Sequence, residues 1–255
     1  MDWRYAWGLA WLALGLAAMP AAGDDGKAQA ISRLAASHDP EIPVAIGRVV
    51  VKQAGLKAIR QRLAEAGRAA GLGPQWNGQA PEWQAAERAH AAAVDGIIGR
   101  ELEQGRWMQD GWAQVAASVL NAEEADEIAH HFATPAGREQ RVVVELLIVG
   151  ETVMANYTFT NRIDATVPGL GEEVARLQKI WWDREPFRVR NFDGQPGAIR
   201  FAGENPGVKY TKALAIQGIE VITRRIDAAA AEAARLAAAT PLEEYLDAWR
   251  RRTGG

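Results

Sequence analysis

The chain has no cysteine among its 255 residues. Disulfides, thiolate metal sites, cysteine nucleophiles and lipid attachment through a cysteine are therefore excluded. Neither charge is in excess: 29 basic against 32 acidic residues leave a net charge of −3, with no basic block. Nucleic-acid binding rests on clustered Lys and Arg, so that class is set aside. Strand-like alternation is scarce, and no internal repeat survives residue-by-residue comparison. Gly-x-Ser-x-Gly, His-Glu-x-x-His and phosphate-loop motifs do not occur, which removes common marks of hydrolases, zinc proteases and nucleotide binders. No segment beyond the N-terminus reads as long and apolar enough to cross a membrane. What is present is a globular composition, 48% hydrophobic and 24% charged, at a length suited to one domain with an appendage.

The N-terminus carries an address. Behind Arg4, Tyr5 to Ala22 runs 18 residues without a charge, and Gly23-Asp24-Asp25 ends the run. A short basic end, an apolar middle and small residues before a polar start are the order of a secretory signal. Residues 1–23 are expected to be that signal, cleaved before Asp24, with Ala28-Gln29-Ala30 as a second candidate site. The alternative is a retained anchor, because about 20 apolar residues span the hydrocarbon layer; Gly8, Gly15 and Pro20 weaken it. The expected location is periplasmic or secreted, with no membrane span once the signal is removed.

The mature chain reads as all-α, an irregular multi-helix bundle. Val49, Leu56, Ile59 and Leu63 open a helical period that predicts a long helix from about Pro43 to Ala70, stopped by Gly71 and Pro74. A second helix starts at Pro81 with Trp83, Ala86, His90, Val94, Ile97 and Ile98 as its stripe. Residues 24–185 are expected to form the helical domain, and residues 140–164, apolar all round near Val142 to Val149 except for Glu145, its central helix. Residues 186–209 hold too many Pro and Gly for a helix interior and read as a linker or a small β-hairpin near 187–202. Helical period resumes in 210–252, where Thr240-Pro241-Leu242-Glu243 predicts a capped last helix on the same core.

One motif carries a resemblance. Asn121, Glu123 and Glu124 open a short helix with a capping box, and Phe132, Thr134, Pro135, Ala136 and Gly137 close it on a tight turn. This stretch resembles the signature of the exported bacterial proteins grouped as domain of unknown function 2059. The likeness would extend over about Val50 to Asp164, including Trp112 ahead of the cap. His131 departs from it, standing where an aromatic usually pairs with Phe132, and so does the unusually apolar helix after Gly137. The resemblance implies an exported all-helical fold and carries no established activity or catalytic residues.

Three constellations bear on chemistry. Glu87/His90 and Glu127/His130 are each half of the Glu-x-x-His set of carboxylate-bridged di-metal bundles. Helical period turns the first pair inward and the second to solvent, so they cannot share a metal. Glu145 needs a partner in its apolar surroundings, and Arg141 and Arg138 stand one and two turns earlier. In a hairpin, Arg188, Arg190 and Arg200 would share one face, able to hold an acid group or simply to solvate a ribbon. Trp182, turned away from the buried stripe of Val174, Leu177 and Trp181, is the expected exposed aromatic beside it.

These observations favour a non-enzymatic exported binding or scaffold protein of the cell envelope, meeting a protein partner or a second copy of itself near Trp182 and those arginines. No cofactor is expected. Two alternatives stay open: a carboxylate–histidine metalloprotein or enzyme built on Glu87, His90 and Glu145, and a carrier of an apolar ligand.

Overall fold

A computed structural model describes residues 22–192 and 206–254, and every regular element among them is helical. Most of the expected signal, and Arg200 with the second arm of the expected hairpin, lie outside the described residues. Helix α1 (Ala22–Ala36) is joined through His38 and Asp39 to the long α2 (Glu41–Ala69). Helix α3 (Pro81–Ile98) ends in a π-helical turn, Gly99–Glu103. Gly105, at a φ of +84° that disfavours a side chain, breaks the chain before α4 (Trp107–Val119). Helices α5 (Ala122–Ala133) and α6 (Pro135–Val144) follow, then a π-helical segment, Glu145–Glu151, and α7 (Thr152–Phe159). Helix α8 spans Gly171–Phe192; α9 (Pro206–Ala213) leads through a third π segment, Leu214–Gly218, into α10 (Ile219–Ala239) and α11 (Glu243–Thr253).

Local chemistry accounts for the helix starts. Asn121 Oδ1 accepts the Glu124 amide at 2.9 Å, and Glu124 returns a carboxylate oxygen to the Asn121 amide at 2.8 Å. Thr134 accepts the Gly137 amide at 3.0 Å while Pro135 sits where no amide is needed. The predicted cap at Thr240 is not made. Its hydroxyl turns back to the Leu236 carbonyl at 3.0 Å, and α11 begins at Glu243.

Helix α2 lies at the centre, packed against α3, α7, α8, α10 and two of the π segments. Its buried residues include Ile42, Ile46, Val49, Val50, Ile59 and Leu63, and α10 lays the small face Ala229, Ala230, Ala233 against the same core. Gly55 permits this approach: a Cβ there would stand 2.8 Å from Val94 Cγ2 and 3.6 Å from the Ala233 Cβ. The stretch expected at the centre, residues 140–164, buries Val144, Leu146, Val149, Val153 and Tyr157 and leaves Val142, Val143, Leu147 and Ile148 half-buried. It flanks α2 instead of being surrounded. The overlapping run Pro135–Phe159, 25 residues with an 18-residue window of mean hydropathy 1.4, is long and apolar enough to cross a membrane, which corrects the expectation that no later segment is.

Two apolar clusters result. The larger one joins α1 through α10; the smaller one gathers Ile59, Leu63, Trp76, Trp83, Ala237, Leu242 and Trp249 around the far end of α2. Trp76 meets Trp83 and Trp249 edge-on, at centroid separations of 5.6 and 6.1 Å, contacts that each contribute about 1 kcal/mol beyond burial.

The hairpin expectation is corrected for its first arm. Phe187 to Arg190 continue α8, with Pro186 inside the helix. An interior proline removes one backbone hydrogen bond and costs about 3 kcal/mol. Around it, Arg188 ion-pairs with Glu185 on the same helix and with Glu151 on a neighbouring segment, and the Trp181 ring packs against Gly150.

Candidate functional site

A half-open cleft of about 440 Å³ lies where the two apolar clusters meet, between α2, α3 and the Pro168–Leu170 connection. Leu56, Ile59, Val94 and Leu170 form aliphatic walls, and Lys52, Arg60 and Arg88 bring cations to it. The spacing of α3 turns Glu87, His90, Ala91 and Val94 toward the cleft, one turn after another. Glu87 is held in place from two sides. It accepts Arg60 Nε at 2.7 Å and Trp83 Nε1 at 2.7 Å. Lys52 is engaged likewise, by Glu173 at 2.8 Å and Asp95 at 3.0 Å.

His90 is only 3% exposed, yet neither ring nitrogen has a hydrogen-bond partner. Burial lowers its pKa from the ordinary histidine value. The Gly55 carbonyl beside the ring pulls the other way but sits outside hydrogen-bond geometry. Both ring nitrogens are closed off from the cleft, and Nε2 faces Gly55.

A second polar cluster is enclosed by helices on the far side of the core. His38, in the α1–α2 connection, lies between Tyr210 Oη, 2.9 Å from Nε2, and Glu145 Oε1, 3.3 Å from Nδ1. With Tyr210 donating to Nε2, the remaining proton on Nδ1 points at Glu145; this tautomer is assigned from the network. The imidazole stacks on Trp112 at 4.9 Å and takes the edge of Phe132. Glu145 also accepts the Asp39 amide at 3.0 Å, and Arg141 and Arg184 stand at ion-pair distance, 3.6 and 3.5 Å. Arg184 donates to Asp39 and Glu41, both at 2.6 Å. Burial works against a charged Asp39, but the Glu41 amide and Arg184 outweigh it and hold that carboxyl below its usual value. Burial, aided by the charge of Glu145, pushes the Tyr210 phenol far upward, so it stays a donor. Glu145 stands at the junction of α6 and the π-helical segment, its amide still bonded to the Arg141 carbonyl.

The sequence-based candidates separate accordingly. Glu87 and His90 face inward, as helical period predicts, while Glu127 and His130 are exposed. Glu87 and His90 make no hydrogen bond with each other; Arg60 and Trp83 take the carboxylate. His130 turns to Asp126, with Nδ1 2.8 Å from its carbonyl, and not to Glu127. Glu145 has the predicted Arg141 nearby, whereas Arg138 donates to the Ala133 carbonyl. Glu145 and the Glu87–His90 pair do not share partners. Among the described residues, no group of three or more His, Asp or Glu is arranged to hold a metal ion. Trp182 is 71% exposed, as expected. Arg188 is committed to Glu151 and Glu185 on a helix, so the three-arginine ribbon face is not formed as predicted. The Arg190 side chain and Arg200 lie outside the described residues.

Sequence reasoning missed His38, Tyr210 and Arg184, which meet across up to 172 positions of chain. It also missed Lys52, Arg60 and Arg88. The only local signal was Asp39-Pro40-Glu41 ahead of α2, where the Asp39 carboxylate accepts the Glu41 amide at 2.9 Å. Comparison of the chain with protein-family models, curated proteins and solved structures found no match.

Proposed function

We propose that this is a non-catalytic, exported helical protein of the cell envelope that works by binding. The cleft carries the reading: a concave, mostly aliphatic space with a few convergent polar groups is the usual form of a small-molecule site. Its acidic group is already neutralised by Arg60 and fixed by Trp83, no Ser, Thr or Tyr lines it, and its lysine, Lys52, is ion-paired with Glu173 and Asp95. With its carboxylate and its lysine both committed to ion pairs, the cleft suits holding a molecule better than transforming one. The charge-free N-terminal stretch, and the resemblance of the Asn121–Gly137 motif to an exported family, support the location. Trp182 adds an exposed aromatic for a protein partner or a second copy of the chain.

Two measurements test this. N-terminal sequencing of the chain recovered from the envelope fraction is expected to start at Asp24; a cytoplasmic chain beginning at Met1 refutes export. Native mass spectrometry of the same material is expected to show an added small-molecule mass or a crosslinked partner at position 182. A bare chain lacking both refutes binding.

A further inference from the structure

We infer that the α2–α3 cleft takes an uncharged aliphatic molecule, its hydrocarbon body against Leu56, Ile59, Val94 and Leu170. This rests on the binding reading and names its ligand class. The polar groups round the cleft are matched to one another before any guest arrives. Glu87 is taken by Arg60 and Trp83, each at 2.7 Å, and Lys52 by Glu173 and Asp95. The Gln84 amide donates to the Gly78 carbonyl at 3.1 Å. His90 offers the cleft neither donor nor acceptor, because both ring nitrogens are closed off. Charge balances as well: Lys52, Arg60 and Arg88 line the cleft, against Glu87 on its wall and Asp95 and Glu173 on Lys52. Arg88 is exposed at the rim, where water solvates its guanidinium.

A charged guest must break one of these pairs or be buried without a partner, and either course costs it affinity. A hydrocarbon gains from the aliphatic walls and needs no polar partner inside. No Phe, Tyr or Trp lines the cleft, so it offers aliphatic contact without a stacking surface. Its 440 Å³ holds about 15 groups of water size, which is the scale of a ten-carbon chain with a small head. Decanol is therefore the probe, compared with decanoate, decylammonium and the aromatic alcohol naphthylmethanol.

Calorimetric titration of the purified protein, with each probe below its micelle threshold, reads the outcome. Decanol is expected to bind, and decanoate and decylammonium more weakly by about tenfold or more, the scale of one charged group left unmatched. Ala91, exposed on α3, lines the cleft, whereas its exposed neighbour Ala92 does not. Ala91→Trp is expected to fill the space and abolish decanol binding, and Ala92→Trp to leave it unchanged. Decanoate or decylammonium binding as tightly as decanol overturns the uncharged assignment and leaves the binding reading standing. Naphthylmethanol binding as tightly as decanol overturns the aliphatic body. Decanol binding that survives Ala91→Trp, or is lost equally in Ala92→Trp, overturns the site. A protein that takes up none of the probes overturns this inference; one that also leaves the envelope bare loses the binding reading with it.

Discussion

The molecule buries two histidines almost equally, His38 at 5% and His90 at 3% exposure, and treats them in opposite ways. His38 is saturated: Tyr210 and Glu145 take its nitrogens, and Trp112 and Phe132 take its faces. His90 lies at the floor of the cleft with both ring nitrogens closed off, Nε2 turned toward Gly55. Burial alone therefore does not tell whether an imidazole is hydrogen-bonded. The difference lies in whether the fold supplies the partners.

The largest effect that can test this contrast is at Glu145. Replacing it by Ala strands His38, the Asp39 amide and two arginines in a buried setting, and should lower unfolding stability by about 3–5 kcal/mol, read from urea titrations. A loss below 1 kcal/mol would mean the cluster is not structural. Gly55→Ala should cost about 1–3 kcal/mol through overpacking against Val94, and should narrow the cleft beside His90. Tyr210→Phe removes one buried donor and should cost about 1–2 kcal/mol in the same assay.

His90→Leu should be close to neutral, or stabilising by up to about 1 kcal/mol, because it deletes unpaired polar atoms. Its sharper reading is in pH. The folded pKa of His90 lies below the unfolded value of about 6.5, so the unfolded chain binds more protons as the solution is acidified. Its contribution is complete above about pH 6.5 and declines as pH falls toward the lowered folded pKa. Stability should therefore fall with acid in the native protein, and His90→Leu should reduce that slope. Arg60, Lys52 and Glu87 face the same cleft and remain in both proteins. Asp39 has the same sign in a lower window, beginning near the usual carboxylate value of about 4. Smallest of all, His130→Ala should change stability by less than about 0.5 kcal/mol, since that ring is exposed beside Asp126.

What was legible in advance was short-range. The Asn121–Glu124 capping box, the Thr134-Pro135 start and the inward turn of Glu87 and His90 each depend on residues within a turn or two. Helix α8 was misread for the same reason. Pro186 argues locally for a break, while the ion pairs of Arg188 that carry the helix past it reach back to Glu151. The cleft was half legible: His90 was singled out, but Glu87 had no visible reason to prefer Arg60 and Trp83 over its neighbour.

The linear order of residues settled by itself that this chain folds into helices, because apolar spacing, caps and breakers act over one or two turns. Packing alone decided which buried polar groups found partners. His38 meets Tyr210 across 172 positions because α9 passes beside the α1–α2 connection. His90 stays unpaired because α2 brings Gly55 to it, a residue with no side chain to offer.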